Sequence, residues 1–257
     1  MLRKGLKTRR FGSKVFCFEV IDSTNACARA LASCWADEGT VIVAEQQTAG
    51  RGRMGRTWVA NPFENLTFSV ILRPDTPAEG INLLPLYAGV AVAEAIERAT
   101  GLSVVCKWPN DLLVNDKKVA GILIEGSLKE SSVEYVVIGI GINVNQREFP
   151  PEISSTATSL IIEGGKEYSR EDLFREVMRS MEAHYKGLTS HGFQRIIPKW
   201  IDRSAMIGRR ISVNQNGSIL TGTVKGVNEQ GALLLDVDGT QTTLHAGDVT
   251  ILGTNGR

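Results

Sequence analysis

Residues 50–58 read GRGRMGRTW, and the chain that follows them decides between two folds. The three glycines of this stretch have the G-x-G-x-x-G spacing of a dinucleotide-binding turn, and a β-branched run precedes them. Such a turn must open a helix whose N-terminus faces the pyrophosphate of the ligand. Here Asn61-Pro62 and a strand-like run at 66–72, LTFSVIL, follow instead. The sequence therefore argues against a doubly wound dinucleotide-binding domain.

The same stretch interleaves its glycines with Arg51, Arg53 and Arg56. Glycines let a backbone approach a ligand closely, and guanidinium groups pair with carboxylates and phosphates. The alternative is a solvated basic loop. We interpret 50–58 as a mobile loop that binds an anion.

A second informative stretch, KWPNDLLVNDKKVAGILIEG, spans 107–126. Asn110 and Asp111 lie at a strand–turn junction, where side chains face a cleft, and Lys118 lies on the strand that follows. A lysine beside a carboxylate substrate can neutralise it and stabilise the charge that develops on acyl transfer. The alternative is a plain hairpin with a capping Asn-Asp pair and exposed lysines.

The third stretch, VIGIGINVN, spans 137–145. Gly139 and Gly141 allow close approach of a ligand, and Asn143 has the donors and acceptor to bind an adenine edge. Taken alone, this stretch is also compatible with a strand that ends in a bulge.

Helical and strand patterns alternate along the first two hundred residues. Residues 81–99 have helical periodicity and end at Gly101, and Ser169 with Asp172 forms a capping box. Residues 145–168 are predicted to be a long loop. The capping box precedes an amphipathic stripe that we assign to the core: Leu173, Val177, Met181, Tyr185 and Leu188.

The sequence pattern changes after Ile207. Short segments of alternating apolar and polar residues are separated by Asn216-Gly217, Gln230-Gly231 and Asp238-Gly239. Such spacing is typical of a small β-barrel. We therefore predict an α/β (α+β) chain. A mixed β-sheet domain with helices packed on it covers 1–206, and an all-β domain covers 207–257.

Bulk composition is that of a globular enzyme, with 42% hydrophobic residues, 22% charged residues and a net charge of +1. Cys17, Cys27, Cys34 and Cys106 lack metal-ligand spacing, and we expect Cys27 and Cys34 to lie in the core. Free thiols fit a reducing compartment, so we expect a cytoplasmic protein. The apolar stretch 81–96 is interrupted by polar residues and is expected to be too short to span a bilayer.

The first fourteen residues form a basic arm with no acidic residue. Such an arm either contacts nucleic acid or is a solvated terminus, and the second interpretation is favoured. Its cations are Arg3, Lys4, Lys7, Arg9, Arg10 and Lys14.

Taken in order, the motifs resemble those of the biotin–protein ligases. They are DSTN at 22–25, EQQTAGRGR at 45–53, KWPND at 107–111, KxAG at 118–121 and GIGIN at 139–143. The resemblance runs from about residue 15 to the C-terminal end and implies that the last fifty residues form an SH3-like barrel. It implies that biotin and ATP react to biotinyl-5'-AMP and that biotin passes to a lysine of a biotin carboxyl carrier protein domain, as in acetyl-CoA carboxylase.

The resemblance also implies residue roles. It assigns biotin binding to Ser23, Thr24, Asn25, Gln47, Gly50, Arg51, Arg53, Lys118 and Gly121. It assigns ATP binding to Arg53, Arg56, Trp58, Lys107, Asn110, Asp111 and Asn143, with Trp58 near the adenine. Lys118, Arg53 and Asp111 are the implied catalytic residues. No protein metal site is implied, because Mg²⁺ would arrive on the nucleotide.

Some members of this family begin with a DNA-binding domain of roughly sixty residues. Only about twenty residues precede Ser23 here, so we expect a monofunctional type without that domain and no role in DNA binding. The family resemblance implies a homodimer, and no membrane partner is expected. The alternatives are a lipoate/octanoate–protein ligase and a non-catalytic ligand- or DNA-binding protein.

Overall fold

A seven-stranded mixed sheet organises the first part of the chain in the computed structural model. The structure describes residues 5–75, 78–129, 132–215 and 217–252. The strand order is β1-β2-β3-β7-β6-β5-β4, and only the β1–β2 pair is parallel. The strands are β1 Val15–Ile21, β2 Val41–Gln47, β3 Leu66–Leu72, β4 Val105–Lys107, β5 Asp111–Val114, β6 Lys117–Lys129 and β7 Ser132–Ile142.

Helices cover both faces of this sheet, and the side chains of its central strands alternate between two cores. On β2, for example, Val41 and Val43 belong to the large core, whereas Ile42 packs with Ala28 and Ala32 of the first helix. The sheet therefore lies between two helical layers. The helices are α1 Thr24–Ser33, α2 Leu84–Thr100, α3 Leu160–Gly164, α4 Arg170–His191 and α5 Ile196–Asp202.

Helices α2 and α4 pack against each other over the large core. The Tyr87 hydroxyl donates to the carbonyl of Met181 at 2.8 Å, and His184 Nε2 lies 3.0 Å from the Glu94 carboxylate. Burial raises the pKa of Glu94, but the hydrogen bond and charge of His184 and the nearby Arg98 outweigh it, so the net pKa is lowered. These contacts join the two longest helices.

The last part of the chain forms a five-stranded antiparallel sheet of order β11-β10-β9-β8-β12. The Trp108 indole Nε1 donates to the carbonyl of Gly231 at 3.0 Å and so joins this sheet to the first. Gly231 has φ of +77°, and a Cβ there would lie 2.9 Å from the carbonyl oxygen of Asn82, so glycine permits the close approach. The strands are β8 Arg210–Gln215, β9 Ser218–Val227, β10 Leu233–Val237, β11 Thr240–Leu244 and β12 Asp248–Ile251.

The structure confirms the predicted fold class and corrects several details. The segment 145–168, predicted as loop, contains the short helix α3, and α5 was not predicted from the sequence. The helix predicted from residue 81 begins at Leu84, after a 3-10 turn, because Pro85 suits the first turn of a helix. Asn216, one of the predicted turn residues, lies outside the described residues. The division at 206/207 stays a prediction.

Two further expectations were wrong. Cys34 is exposed, because it is the C-cap residue that ends α1, and Cys27 is only half-buried. The apolar stretch extends over Gly80–Thr100 and is long and apolar enough to cross a membrane. The expectation that it is too short was therefore wrong. In this fold 67% of its apolar window is buried, as in the core helix of a globular protein.

The N-terminal arm is anchored at its end, which the sequence did not indicate. The Glu182 carboxylate on α4 accepts hydrogen bonds from the backbone amides of Arg9 at 2.9 Å, Arg10 at 2.5 Å and Phe11 at 3.1 Å. The Phe11 side chain is fully buried, and the Lys14 ammonium pairs with Asp37 at 2.6 Å. The backbone of residues 9–11 is therefore anchored, whereas the side chains of Arg9, Arg10 and Lys14 are exposed; the first four residues lie outside the described part of the chain.

We expect Glu182→Ala to lower the free energy of unfolding by about 1–3 kcal/mol, because three backbone donors lose a charged acceptor. Urea unfolding followed by circular dichroism measures this change. Glu176→Ala on the same helix is the control, since Glu176 pairs with Arg179 one turn along the helix, an ion pair of small net stability. Equal effects of the two substitutions would show that Glu182 does not anchor the arm.

Candidate active site

A cleft of about 680 Å³ lies over the face of the first sheet and reaches the second sheet. Its volume is in the range of small-molecule sites, about 300–1,000 Å³. Of the residues predicted from the sequence, all but Gly50 line it: Ser23, Thr24, Asn25, Gln47, Arg51, Arg53, Arg56, Trp58, Lys107, Asn110, Asp111, Lys118, Gly121 and Asn143. The cleft thus brings together four parts of the chain that are far apart in sequence.

Gly50 lies behind the cleft instead of in its lining. Its carbonyl accepts a hydrogen bond from the backbone amide of Trp58 at 3.1 Å. A Cβ at this position would lie 2.9 Å from Gln47 Nε2 and 3.0 Å from the Trp58 carbonyl oxygen. The geometry therefore gives Gly50 a role in positioning Gln47 and Trp58, and its predicted direct contact with a ligand stays a prediction.

One end of the cleft has a fixed polar network at the start of α1. Gln47 Oε1 accepts from the Thr24 backbone amide at 2.7 Å and from its hydroxyl at 3.0 Å. The Ser69 hydroxyl lies 2.8 Å from Thr24 Oγ1 and 2.6 Å from Asn25 Oδ1. Ser23 caps α1 by accepting from the amide of Ala26. The network holds these side chains in one arrangement before any ligand binds.

Trp58 lies flat on a floor made by two glycines. Gly121 on β6 and Gly141 on β7 are direct partners across the two strands. A Cβ on Gly121 would lie 3.2 Å from Trp58 Cζ3, and one on Gly141 would overlap the indole ring. The indole Nε1 is buried and has no hydrogen-bond partner within the described residues. The ring therefore has an unpaired donor buried beside the cleft.

Lys118 and Asp111 form an ion pair at the centre of the cleft. The Lys118 ammonium lies 2.7 Å from the Asp111 carboxylate and 5.8 Å from the centre of the Trp58 ring. Strands β5 and β6 are adjacent, so the hairpin itself brings the two charges together. The predicted Lys118 and Asp111 thus meet at one point.

Arg53 and Lys107 flank this pair, and among the described residues neither has a carboxylate partner of its own. Arg53 Nη1 donates to Asn110 Oδ1 at 3.4 Å, while Asn110 Nδ2 donates to the Ile122 carbonyl at 2.6 Å. Burial lowers the pKa of Arg53, and the charge of Asp111 raises it in part. Burial also lowers the pKa of Lys107. The negative charge of Asp111 raises this pKa, and other nearby cations lower it further. Both side chains therefore carry charge that a ligand can compensate.

Positive charge exceeds negative charge in the cleft. Its described lining holds six cationic side chains and three carboxylates, so three cations are in excess. The ion pairs that neutralise the others are Lys118–Asp111, Arg56–Asp248 and Arg209–Asp116. The remaining cations are Arg51, Arg53 and Lys107. A site with this balance favours a polyanionic ligand.

Asn143, next to the start of β6, carries an unpaired acceptor. Asn143 is buried, and its Nδ2 donates to the Thr158 carbonyl at 2.9 Å. Its Oδ1 has no partner within the described residues. This acceptor suits an exocyclic amino group, such as that of an adenine.

Several lining residues were not found from the sequence. The segment 145–158 pairs with the start of β6, where the Lys118 amide donates to the Thr156 carbonyl at 2.8 Å. These residues carry no motif, and only the chain topology brings them to the cleft. They include Phe149, Ile153, Thr156 and Ala157 from that segment, and Arg209, Asp248, Val249, Thr250 and Ile251 from the second sheet.

Within residues 5–75, 78–129, 132–215 and 217–252 there is no group of three His, Cys, Asp or Glu side chains that could hold a metal ion. The cleft's carboxylates are each engaged with a cation.

Comparison with known proteins agrees with this site. A model of the Biotin/lipoate A/B protein ligase family matches residues 17–143, and a model of the biotin protein ligase C-terminal domain matches residues 206–252. The bifunctional ligase/repressor BirA of Bacillus subtilis is 38% identical over 97% of this chain and 78% of the relative. The biotin–[acetyl-CoA-carboxylase] ligase of Mycobacterium tuberculosis is 37% identical over 90% of this chain and 86% of the relative.

Solved structures give the same result. The biotin protein ligase from Aquifex aeolicus, in complex with biotin and ATP, is similar with a TM-score of 0.80 and 31% identity, over 93% of this chain and 99% of that one. The fold and the cleft thus define an enzyme of the ligase class. The chain belongs to the biotin protein ligase family.

We expect Gly141→Ala to displace the Trp58 indole and to weaken biotin binding by about tenfold or more, which corresponds to roughly 1.4 kcal/mol. Isothermal titration with biotin measures this loss. Gly226→Ala is the control, because no atom lies within 4 Å of a Cβ at that strand position. If both variants bind like the parent protein, the contact between the indole and Gly141 does not shape the ligand site.

Proposed function

We propose that the protein joins biotin and ATP to form biotinyl-5'-AMP and pyrophosphate, and then transfers biotin to a lysine of a biotin carboxyl carrier protein domain. The observation that carries the proposal is the excess of three cations, next to an unpaired donor and an unpaired acceptor. One biotin carboxylate and one nucleotide triphosphate supply the anionic charge that such a cleft lacks. The names of the relatives, which include a biotin–[acetyl-CoA-carboxylase] ligase, support the same partner.

In the first step, a biotin carboxylate oxygen attacks the α-phosphorus of ATP, and the bond from that phosphorus to the bridging oxygen of pyrophosphate breaks. Lys118 would hold the carboxylate and balance the charge on the transferring oxygens. Arg53 and Arg56 would hold phosphate oxygens. Ser23, Thr24 and Gln47, whose network is already formed, would fix the ring system of biotin.

The nucleotide end would lie near Asn143, whose free Oδ1 suits the adenine amino group. Mg²⁺ fits this chain only as a nucleotide-bound ion, since no described cluster could hold it and Asp111 already pairs with Lys118. Bound there, the ion would neutralise phosphate charge.

In the second step, the amine of the carrier lysine attacks the acyl carbon of biotinyl-AMP. The bond from that carbon to the phosphate oxygen breaks, and AMP leaves with the bonding electrons. The amine loses a proton, and we assign the Asp111 carboxylate as its acceptor. The closed cleft would keep water from the mixed anhydride until the amine arrives.

A lipoate or octanoate–protein ligase is the second candidate, because the family model covers lipoate as well as biotin enzymes. Both reactions release pyrophosphate, so the activated acid distinguishes them.

We expect pyrophosphate release to require biotin and MgATP and to be absent with lipoate or octanoate, as measured in a coupled phosphate assay. Lys118→Ala should slow this release by about 10²-fold, comparable to the loss of one transition-state donor. Lys117→Ala is the matched control, since Lys117 is exposed on the same strand. Release that depends on lipoate and ignores biotin would overturn the proposal; an unchanged rate for Lys118→Ala would remove that residue from the reaction.

We further propose a homodimer, formed through the β1 edge of the first sheet. The other edge, β4, is covered, because the Cys106 amide donates to the Arg203 carbonyl at 2.7 Å. No described strand pairs with the outer side of β1, where Phe16 is 43% exposed and Val20 is 53% exposed. An open edge with apolar side chains favours pairing with a second copy.

We expect light scattering at micromolar concentration to give twice the 28.0 kDa chain mass, and Val20→Lys to return it to one chain mass. A single 28.0 kDa species for the parent protein, with and without biotin and ATP, would contradict the dimer. A dimer that tolerates Val20→Lys would exclude the β1 edge.

A further inference from the structure

The polar network at the start of α1 extends beyond the cleft to Glu125 on β6. The Asn25 side-chain nitrogen Nδ2 donates to Glu125 Oε2 at 2.7 Å, and the Arg29 guanidinium pairs with Glu125 Oε1 at 2.9 Å. Asn25 lines the cleft, whereas Glu125 is not among the described residues that do so. The Glu125 carboxylate therefore reaches the ligand space only through the Asn25 side chain.

The orientation of the Asn25 amide is set by this carboxylate. Asn25 is buried and rests on Gly139, where a Cβ would overlap its Oδ1. The oxygen and the nitrogen of a side-chain amide have nearly the same shape, so packing alone does not choose between its two orientations. A carboxylate that pairs with Arg29 is ionised and can only accept hydrogen bonds. It therefore holds Nδ2 on its own side and turns Oδ1 towards Ser69.

The other end of the network is fixed in the same way. The Thr24 backbone amide can only donate and lies 2.7 Å from Gln47 Oε1, so Gln47 also turns an oxygen inward. The hydroxyls of Ser69 and Thr24 lie between the two ends. The four oxygen atoms form a row with three contacts: 2.6 Å from Asn25 Oδ1 to Ser69 Oγ, 2.8 Å from Ser69 Oγ to Thr24 Oγ1, and 3.0 Å from Thr24 Oγ1 to Gln47 Oε1.

This oxygen row is one hydrogen short. Each hydroxyl has one hydrogen and the two amide oxygens have none, so two hydrogens serve three contacts. A buried contact between two oxygens without a hydrogen is unfavourable. Gln47 lines the cleft, and an N–H group that a ligand donates to its Oε1 would let the Thr24 hydroxyl turn to Ser69. The oxygen row thus favours a ligand that donates hydrogen bonds over one that only accepts them.

We propose that Glu125 is a positioning residue for ligand recognition: by fixing the Asn25 amide it keeps the oxygen row short of one hydrogen, and so it selects an acid whose ring carries N–H groups. This inference deepens the proposed function and rests on it, because the cyclic urea of biotin has N–H donors, whereas lipoate and octanoate have none.

Reversal of the Asn25 amide shows what the carboxylate prevents. Nδ2 would then donate to Ser69, the Ser69 hydroxyl to Thr24, and the Thr24 hydroxyl to Gln47. All three contacts would have a hydrogen without any ligand. The Thr24 hydrogen could no longer turn to Ser69, and both lone pairs of Gln47 Oε1 would stay in use.

Glu125→Gln tests the proposal. Arg29 would pair with the oxygen of the new amide, so that its nitrogen would face Asn25 and reverse the Asn25 amide. We expect biotin to bind about tenfold more weakly, because the ligand loses one hydrogen bond, while the KM for MgATP stays unchanged. Isothermal titration measures biotin binding, and pyrophosphate release at varied MgATP measures the KM.

Arg29→Ala is the matched control. It removes the ion pair of a half-exposed side chain and leaves the Glu125 carboxylate facing Asn25. Exposed ion pairs contribute little, so biotin affinity should stay within about twofold of the parent protein. Thermal unfolding checks that every variant is folded.

Two combined variants separate this role from a merely structural one. Asn25→Asp together with Glu125→Gln exchanges the amide and the carboxylate, keeps the net charge and again presents an acceptor to Ser69. It should restore biotin affinity to within about threefold. Ser69→Ala interrupts the oxygen row, so Glu125→Gln should cause no further loss in that background. The two comparisons are independent, so each decides the proposal if the other variant is unstable.

Four results would overturn the positioning role. Glu125→Gln could bind biotin like the parent protein, or Arg29→Ala could cause an equal loss. The exchange of amide and carboxylate could fail to restore binding, or the loss could persist in the Ser69→Ala background. A parent protein that binds no biotin would instead reject the proposed function itself, and the positioning role with it.

Discussion

The hydrogen-bonded ladder between β6 and β7 is the constraint on which the site depends. It sets Gly121 opposite Gly141, and it places Lys118 and Asn143 at the same end of the two strands. Side chains alternate between the faces of a sheet, so a slip of one residue would turn every one of these groups to the opposite face. The apolar residues between them, such as Ile140 and Ile122, belong to the large core and prevent that slip. Core packing therefore fixes the register of β6 against β7, and this register determines which side chains face the cleft.

The excess of positive charge in the site also lowers the stability of the chain. Among the described residues Arg51, Arg53 and Lys107 have no carboxylate partners, and like charges held close together destabilise a folded chain. Burial lowers the pKa of Lys107, with nearby cations contributing, and a bound anion shifts that pKa back up. Ligand binding, proton uptake and thermal stability are thus linked through the same charges.

Much of this arrangement could be predicted from the sequence, because a sequence motif indicates the backbone conformation of the few residues that form it. The strand at 66–72, the Ser169 cap and the glycines that follow β2 each have a signature within a few residues. What the sequence could not reveal depends on contacts between distant segments. No local motif at Asp248 indicates that this residue of β12 forms an ion pair with Arg56. No local motif at Glu182 indicates that its carboxylate accepts hydrogen bonds from three backbone amides of the N-terminal arm. The same limit explains Cys34, whose helical spacing suggested a core residue although the helix ends there.

The floor formed by Gly121 and Gly141 has a consequence for how such a cleft can evolve. Every missense change of one base in a glycine codon adds a side chain, and at position 141 any side chain overlaps the indole that rests there. No small, tolerated step exists at this position while Trp58 keeps its place. A lineage that alters the shape of the acid it accepts must therefore change Trp58 first and the glycine afterwards. The contact between one ring and one missing Cβ thus sets the order in which mutations can be accepted.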